Sequence, residues 1–119
     1  MQNIKPWVSS RAIAKFAPDE ETIFLMKPPF SPIATLIQHG DPFWTRPCAV
    51  PEALDHAQAI MIGDFGIGAD SPIVLDYRRS PLDPSVLRLK WSWSQDREPR
   101  NNWVEVAATF ALFVEMLGL

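Results

Sequence analysis

Between residues 57 and 93 the chain carries three apolar, β-prone runs separated by two segments rich in glycine, proline and aspartate. That punctuation predicts consecutive short strands folded back on one another, an antiparallel meander. The first run is Ala59-Ile60-Met61-Ile62, leading into Gly63; the second is Pro72-Ile73-Val74-Leu75-Asp76-Tyr77; the third is Val86-Leu87-Arg88-Leu89-Lys90-Trp91-Ser92-Trp93. The second run is apolar at both parities until Asp76, which places it centrally with cover on both sides. The third alternates, so Leu87, Leu89, Trp91 and Trp93 are expected on a buried face and Arg88, Lys90 and Ser92 on a wet one. Gly63, Gly66 and Gly68 fall close together between the first two runs. They call either for backbone angles that other residues avoid or for a close approach of main chain to something else.

The flanking segments read as short helices and edge pieces. Ala12, Ile13 and Phe16 lie at helical spacing within residues 8–16, with Ser9 or Ser10 to cap. Thr22 to Met26 is a compact strand stopped by Pro28-Pro29, since proline cannot donate to a ladder. Ser31-Pro32 starts a helix with Ile33, Leu36 and Ile37 on one face, and Gly40 ends it. Asp41 to Pro51 is irregular, anchored by Phe43 or Trp44, and Glu52 to His56 makes one helical turn. Ser94 to Asn101 is a polar loop. Asn102 with Glu105 has the spacing of a capping box for a last helix, whose apolar stripe is Trp103, Val106, Phe110, Phe113 and Leu117, with Gly118 as its stop. On that reading Phe110→Ala costs roughly 3–5 kcal/mol.

With 119 residues, a chain of this length buries roughly two-thirds of the surface it would expose unfolded. Its prolines punctuate elements rather than cluster and it has no repeats, so a single domain over residues 1–119 is expected. No run approaches the roughly 18 apolar residues of a membrane span. The start, MQNIKPWVSS, lacks a basic region followed by an apolar core, so no secretory signal is expected. Cys48 is the single cysteine and cannot form an internal disulfide, which points to a reducing cytoplasm. A net charge of -3 argues against a nucleic-acid partner. The basic residues crowded between Arg78 and Arg100 are interleaved with Asp83, Asp96 and Glu98, the pattern of a solvated face rather than a phosphate site.

Motifs for chemistry are sparse. The glycine segment has the spacing G-x-x-G-x-G, the reverse of the dinucleotide fingerprint, and leads into a strand rather than a helix. Asp64 and Asp70 bracket it, with Asp76 farther on; they could hold a hard cation or act as acid and base, but aspartate at such turns more often caps the backbone through its own side chain. His39 and His56 lack metal-site spacing, no nucleophile elbow occurs, and no catalytic set, metal or cofactor is expected. Tryptophan stands at Trp7, Trp44, Trp91, Trp93 and Trp103. Aromatics beside arginines are favoured at protein interfaces, which singles out Trp44, Tyr77 and Trp91 as contact candidates together with Asp64, Asp70 and Asp76.

The series from Ile62 through Gly63-Asp64-Phe65-Gly66 and Asp70-Ser71-Pro72 to Asp76-Tyr77-Arg78, then Pro84 to Leu89, then Trp103-Val104-Glu105 with Phe110 and Phe113-Val114, resembles the SUKH superfamily, which includes the Smi/Knr cell-wall regulators. Pro28-Pro29-Phe30 and Phe43-Trp44 look like a bacterial branch of it. The N-terminal half departs from the family, lacking its helix that ends in an Asn-Gly-Gly turn. The resemblance implies an α+β fold, a small curved antiparallel sheet flanked by helices, and a protein-binding rather than catalytic role. Many bacterial relatives look like immunity proteins that neutralise a cognate toxin, often a nuclease. The expectation is therefore an immunity-type module with a protein partner. A regulatory or scaffold domain, or a small metal-dependent hydrolase using Asp64, Asp70 and Asp76, are the alternatives.

Overall fold

The structure, a computed structural model, describes residues 3–4, 13, 23–26, 29–65, 71–98 and 100–118. In chain order the elements are β1 (Asn3–Ile4), β2 (Phe24–Leu25), α1 (Ile33–Gln38), β3 (Ala59–Asp64), β4 (Pro72–Asp76), β5 (Ser85–Lys90), β6 (Asn102–Ala107) and α2 (Phe110–Leu117). Two 3-10 turns, Pro47–Ala49 and Pro51–Ala53, lie between α1 and β3. The strands form one antiparallel sheet in sequence order, β1 to β6, so the protein is α+β with the expected meander at its centre.

β4 is buried along its whole length, as a run apolar at both parities requires. Its alternating side chains feed two separate cores. Ile73 and Leu75 join Ile62, Phe65, Val86, Phe113 and Leu117 on one face. Val74 joins Ala59, Leu87, Ile33, Trp44 and Leu54 on the other. α2 covers the first face, while α1 and the irregular segment after it cover the second. Register shifts in β3 between Met61 and Gly63, and in the β5–β6 pair at Val86/Leu87, mark bulges that bend the sheet locally.

Gly63 answers the question left by its sequence. Its φ is not among the positive values of the chain, but a Cβ built on it would stand 2.3 Å from the Phe24 carbonyl oxygen. Close approach, not backbone angle, demands glycine here. β2 can then pair with β3, and Met26 N–H donates to Ile62 O at 2.8 Å.

Three expectations need correction. Residues 102–107 are a strand, not the first turns of the last helix. Pairing with β5 satisfies six residues of backbone that would otherwise leave β5 as a bare edge, and β-branched Val104 and Val106 suit a pleated surface. The helix starts instead at Phe110, where Thr109 caps it by accepting from Leu112 N–H at 3.1 Å, and Gly118 ends it at φ 77°. Second, Arg88 is only 3% exposed, so β5 is covered on both faces rather than wet on one. Its guanidinium carbon lies 5.9 Å from the centroid of the Phe65 ring, a cation–π contact that offsets part of the cost of burying the charge. Third, β5 ends at Lys90, and Trp93 beyond it is 62% exposed.

Smaller differences have local causes. Pro32, not Ser31, occupies the cap position of α1, and no side chain caps that end. Pro32 bridges to Ile60 instead, while Ala34 N–H donates to His56 O. Gly40 adopts φ 75° after the helix as expected. The helical turn expected over Glu52 to His56 is a 3-10 turn at Pro51–Ala53. Of the helix expected over residues 8–16, Ile13 alone is described; it is helical and fully buried.

Candidate functional site

The aspartates and aromatics singled out in the sequence do not converge. Trp44 is 1% exposed, edge-on to Phe43 and stacked on Trp103 with centroids 5.7 Å apart. It holds the 41–51 segment to the sheet, as expected of an anchor, and this burial withdraws its ring from any partner. Asp64 is buried and accepts from Ser71 N–H at 3.0 Å; Phe65 N–H donates to Ser71 O, and Ser71 Oγ donates to Leu89 O. Asp64 thus closes the base of the glycine segment, the turn-capping role. Asp70 lies outside the described residues. Asp76 sits at the other end of β4, opposite Ala59, whereas Asp64 faces Pro72. Four residues of strand span about 13 Å, too far for Asp64 and Asp76 to share one ion.

Asp76 belongs to a charged notch on the α1 face, with Arg78, Arg79, Ser85, Trp103 and Glu105. Burial pushes its carboxyl up, but hydrogen bonds from the Arg78 side chain and backbone, with the attraction of Arg78 and Arg79, outweigh this and hold it below its ordinary value. The Arg78 guanidinium is correspondingly pushed up by that bond. Arg79 pairs with Glu105 across the notch. Each arginine therefore already faces a carboxylate, which leaves the notch near neutrality.

The opposite face holds a different site. α2 presents Phe110, Phe113, Val114 and Leu117 at helical spacing; Phe113 and Leu117 enter the core, while the turn angle leaves Phe110 39% exposed at the edge. This revises the expected cost of Phe110→Ala downward. Between α2, the β2–β4 surface and the loop from Tyr77 to Pro84 runs an apolar cleft of about 490 Å³, with Leu25, Ile62, Leu75 and Tyr77 among its lining. Phe30 and Phe110 stand at its rim, and Leu82 is 94% exposed beside them. Its volume falls within the range of ordinary ligand and anchor pockets. Asp83, also lining the cleft, has its backbone N–H held by Ser80 Oγ at 3.1 Å, which shapes the turn that projects Leu82.

Of the sequence candidates among the described residues, Tyr77 is the one in this cleft. Trp91 lies elsewhere, tilted against Trp93 with centroids 5.7 Å apart at the end of β5. Leu82 was missed because a lone leucine in a turn carries no periodic signal; its place between Pro81 and Asp83, in a segment bound to be exposed, was the available clue. Phe110 reads as core from the sequence because a helix beginning at Asn102 would place it mid-stripe; a helix beginning at Phe110 leaves it at the exposed first turn. No helix among the described residues is long and apolar enough to cross a membrane. Comparison with known protein families, curated proteins and solved structures gives no match.

Proposed function

We propose that this chain is a non-enzymatic, cytoplasmic protein-binding module of the immunity type, which neutralises a toxin domain by seating an apolar anchor of that protein in the cleft between α2 and the β4–β5 loop. Leu82 carries the reading: a leucine almost fully exposed to water, beside Phe30 and Phe110 over an apolar cleft, is surface that gains free energy when a partner covers it. The ordered resemblance to the SUKH superfamily from Ile62 to Val114 supports a protein partner. The sheet that floors the cleft is backed on its opposite face by the second core, which holds the floor in place before a partner arrives.

The test is a binding comparison between the wild-type protein and Leu82→Asp, a change at a position too exposed to disturb folding, with circular dichroism as the check. The product of the neighbouring gene, purified, is titrated calorimetrically against both. Binding that weakens at least about tenfold on Leu82→Asp, with loss of protection when the two are co-expressed in cells, supports the reading. Equal binding by the two proteins would remove the cleft from the account.

A further inference from the structure

We infer that the cleft selects a partner segment in which a large apolar side chain is accompanied by a lysine or arginine. This rests on the protein-binding reading of the same cleft and adds the chemistry of what enters it. The observation is Asp83. It is half-buried at the rim beside Leu82 and Pro84, and it is the one charged group in the cleft's lining among the described residues.

Other carboxylates near the sheet are engaged. Asp76 has Arg78, Glu105 has Arg79, and Asp96 has Arg100. The carboxylate of Asp83 has neither an ion pair nor a hydrogen bond among the described residues; the residue's backbone N–H, not its side chain, bonds to Ser80 Oγ. A wholly apolar segment filling the cleft would cover this charge without pairing it, and an uncompensated buried charge costs more than the apolar contact beside it returns. A cation next to the anchor removes that penalty and gains from the lowered dielectric once water leaves. The chain's net charge of -3 acts in the same sense over longer range, drawing basic partners and repelling acidic ones.

The experiment is selection from a random-peptide phage library against the full-length protein, followed by calorimetry of the enriched peptides on three proteins: wild type, Leu82→Asp and Asp83→Lys. Enriched peptides should pair Trp, Phe or Leu with Lys or Arg, lose at least about tenfold in affinity on Asp83→Lys, and bind more weakly as salt is raised. Replacing the peptide's basic residue by glutamate should restore binding to Asp83→Lys and not to wild type, an outcome that a merely disturbed fold cannot produce. Peptides that depend on Leu82 but are indifferent to Asp83→Lys would overturn this inference while leaving the protein-binding reading in place. Peptides indifferent to both substitutions would overturn both.

Discussion

Gly63→Ala tests the central geometry of the sheet. The added Cβ would lie 2.3 Å from the Phe24 carbonyl oxygen and 3.3 Å from Leu25 Cα. An unstrained C···O contact needs roughly 3.3 Å, so β2 must retreat from β3 by about 1 Å. The closest atom, the Phe24 carbonyl oxygen, belongs to the main chain of β2, and no rotamer change can relieve that contact; Leu25 Cδ2, at 3.2 Å, is a side-chain atom that can turn away. The Met26 N–H to Ile62 O bond, 2.8 Å in the native sheet, would stretch past the limit of useful hydrogen bonding, and the Phe24–Asp64 pairing beside it would loosen. Two lost bonds at about 1 kcal/mol each, with roughly 1–3 kcal/mol of overpacking strain, put the cost near 3–4 kcal/mol. That is a large share of the roughly 5–15 kcal/mol typical of a whole domain.

Urea unfolding followed by tryptophan fluorescence and far-ultraviolet circular dichroism measures it. Gly40→Ala is the control: its φ is 75°, and nothing lies within 4 Å of an added Cβ, so it bears only the left-handed backbone cost of about 1–2 kcal/mol. If β2 detaches rather than straining the whole fold, the m-value falls and amide exchange rises at Met26 before the global transition. A Gly63→Ala protein within about 1 kcal/mol of wild type, with m and exchange unchanged, would refute the close-approach argument.

The packing and electrostatics of the fold set three other outcomes. Phe113→Ala, which empties a site in the first core, should cost about 3–5 kcal/mol in urea titrations, whereas Phe110→Ala at the cleft rim should cost no more than about 2; reversed ranking would mean that α2 is rotated from its placement here. Because the carboxyl of Asp76 is held below its ordinary value, its contribution to stability is complete above the unfolded pKa of about 4 and is lost as pH falls through the lower folded value. Arg78→Ala should therefore destabilise by about 1 kcal/mol at pH 7, a figure reduced for the exposure of the guanidinium, and the gap from wild type should close towards pH 3. A gap that is constant with pH would exclude this linkage. Val50 sits at φ 48°, a strained angle for a β-branched residue, held in a turn whose Ala49 and Val50 carbonyls accept from Trp103 Nε1. Val50→Gly should raise the urea midpoint, by up to about 1 kcal/mol equivalent, and a lowered midpoint would show that the Val50 side chain contributes more than its backbone angle costs.

The failures of sequence reading were specific. Asn102 and Glu105 have capping-box spacing, and Trp103, Val106 and Phe110 can be drawn on a helical wheel. Yet Val104 and Val106 also fit a strand, and Thr109 before Phe110 is an equally good cap. Local pattern cannot choose between these readings, because the decision rests on whether residues 102–107 pair with β5 across the 91–101 loop, and no window of a few residues holds both strands. Arg88 misled for a related reason. A charged residue at the polar parity of a strand reads as solvated unless something aromatic folds over it, and Phe65 arrives from the other side of β4. The cleft is harder still to foresee: Phe30, Leu82 and Phe110 are far apart in sequence, and none lies on a shared periodic face.

What sequence alone determined was the set of local commitments: three apolar runs with turn residues between them, a run apolar at both parities that had to lie centrally, glycine at 63, and a left-handed stop at Gly118. These follow from backbone sterics and from side-chain period, which act over a few residues. Only the tertiary structure decided which edge became the sixth strand, which charge was buried, and which apolar side chains were left facing water around one cleft. Those outcomes depend on long-range pairing and on how much surface each face of the sheet can cover, quantities that no short window of residues contains.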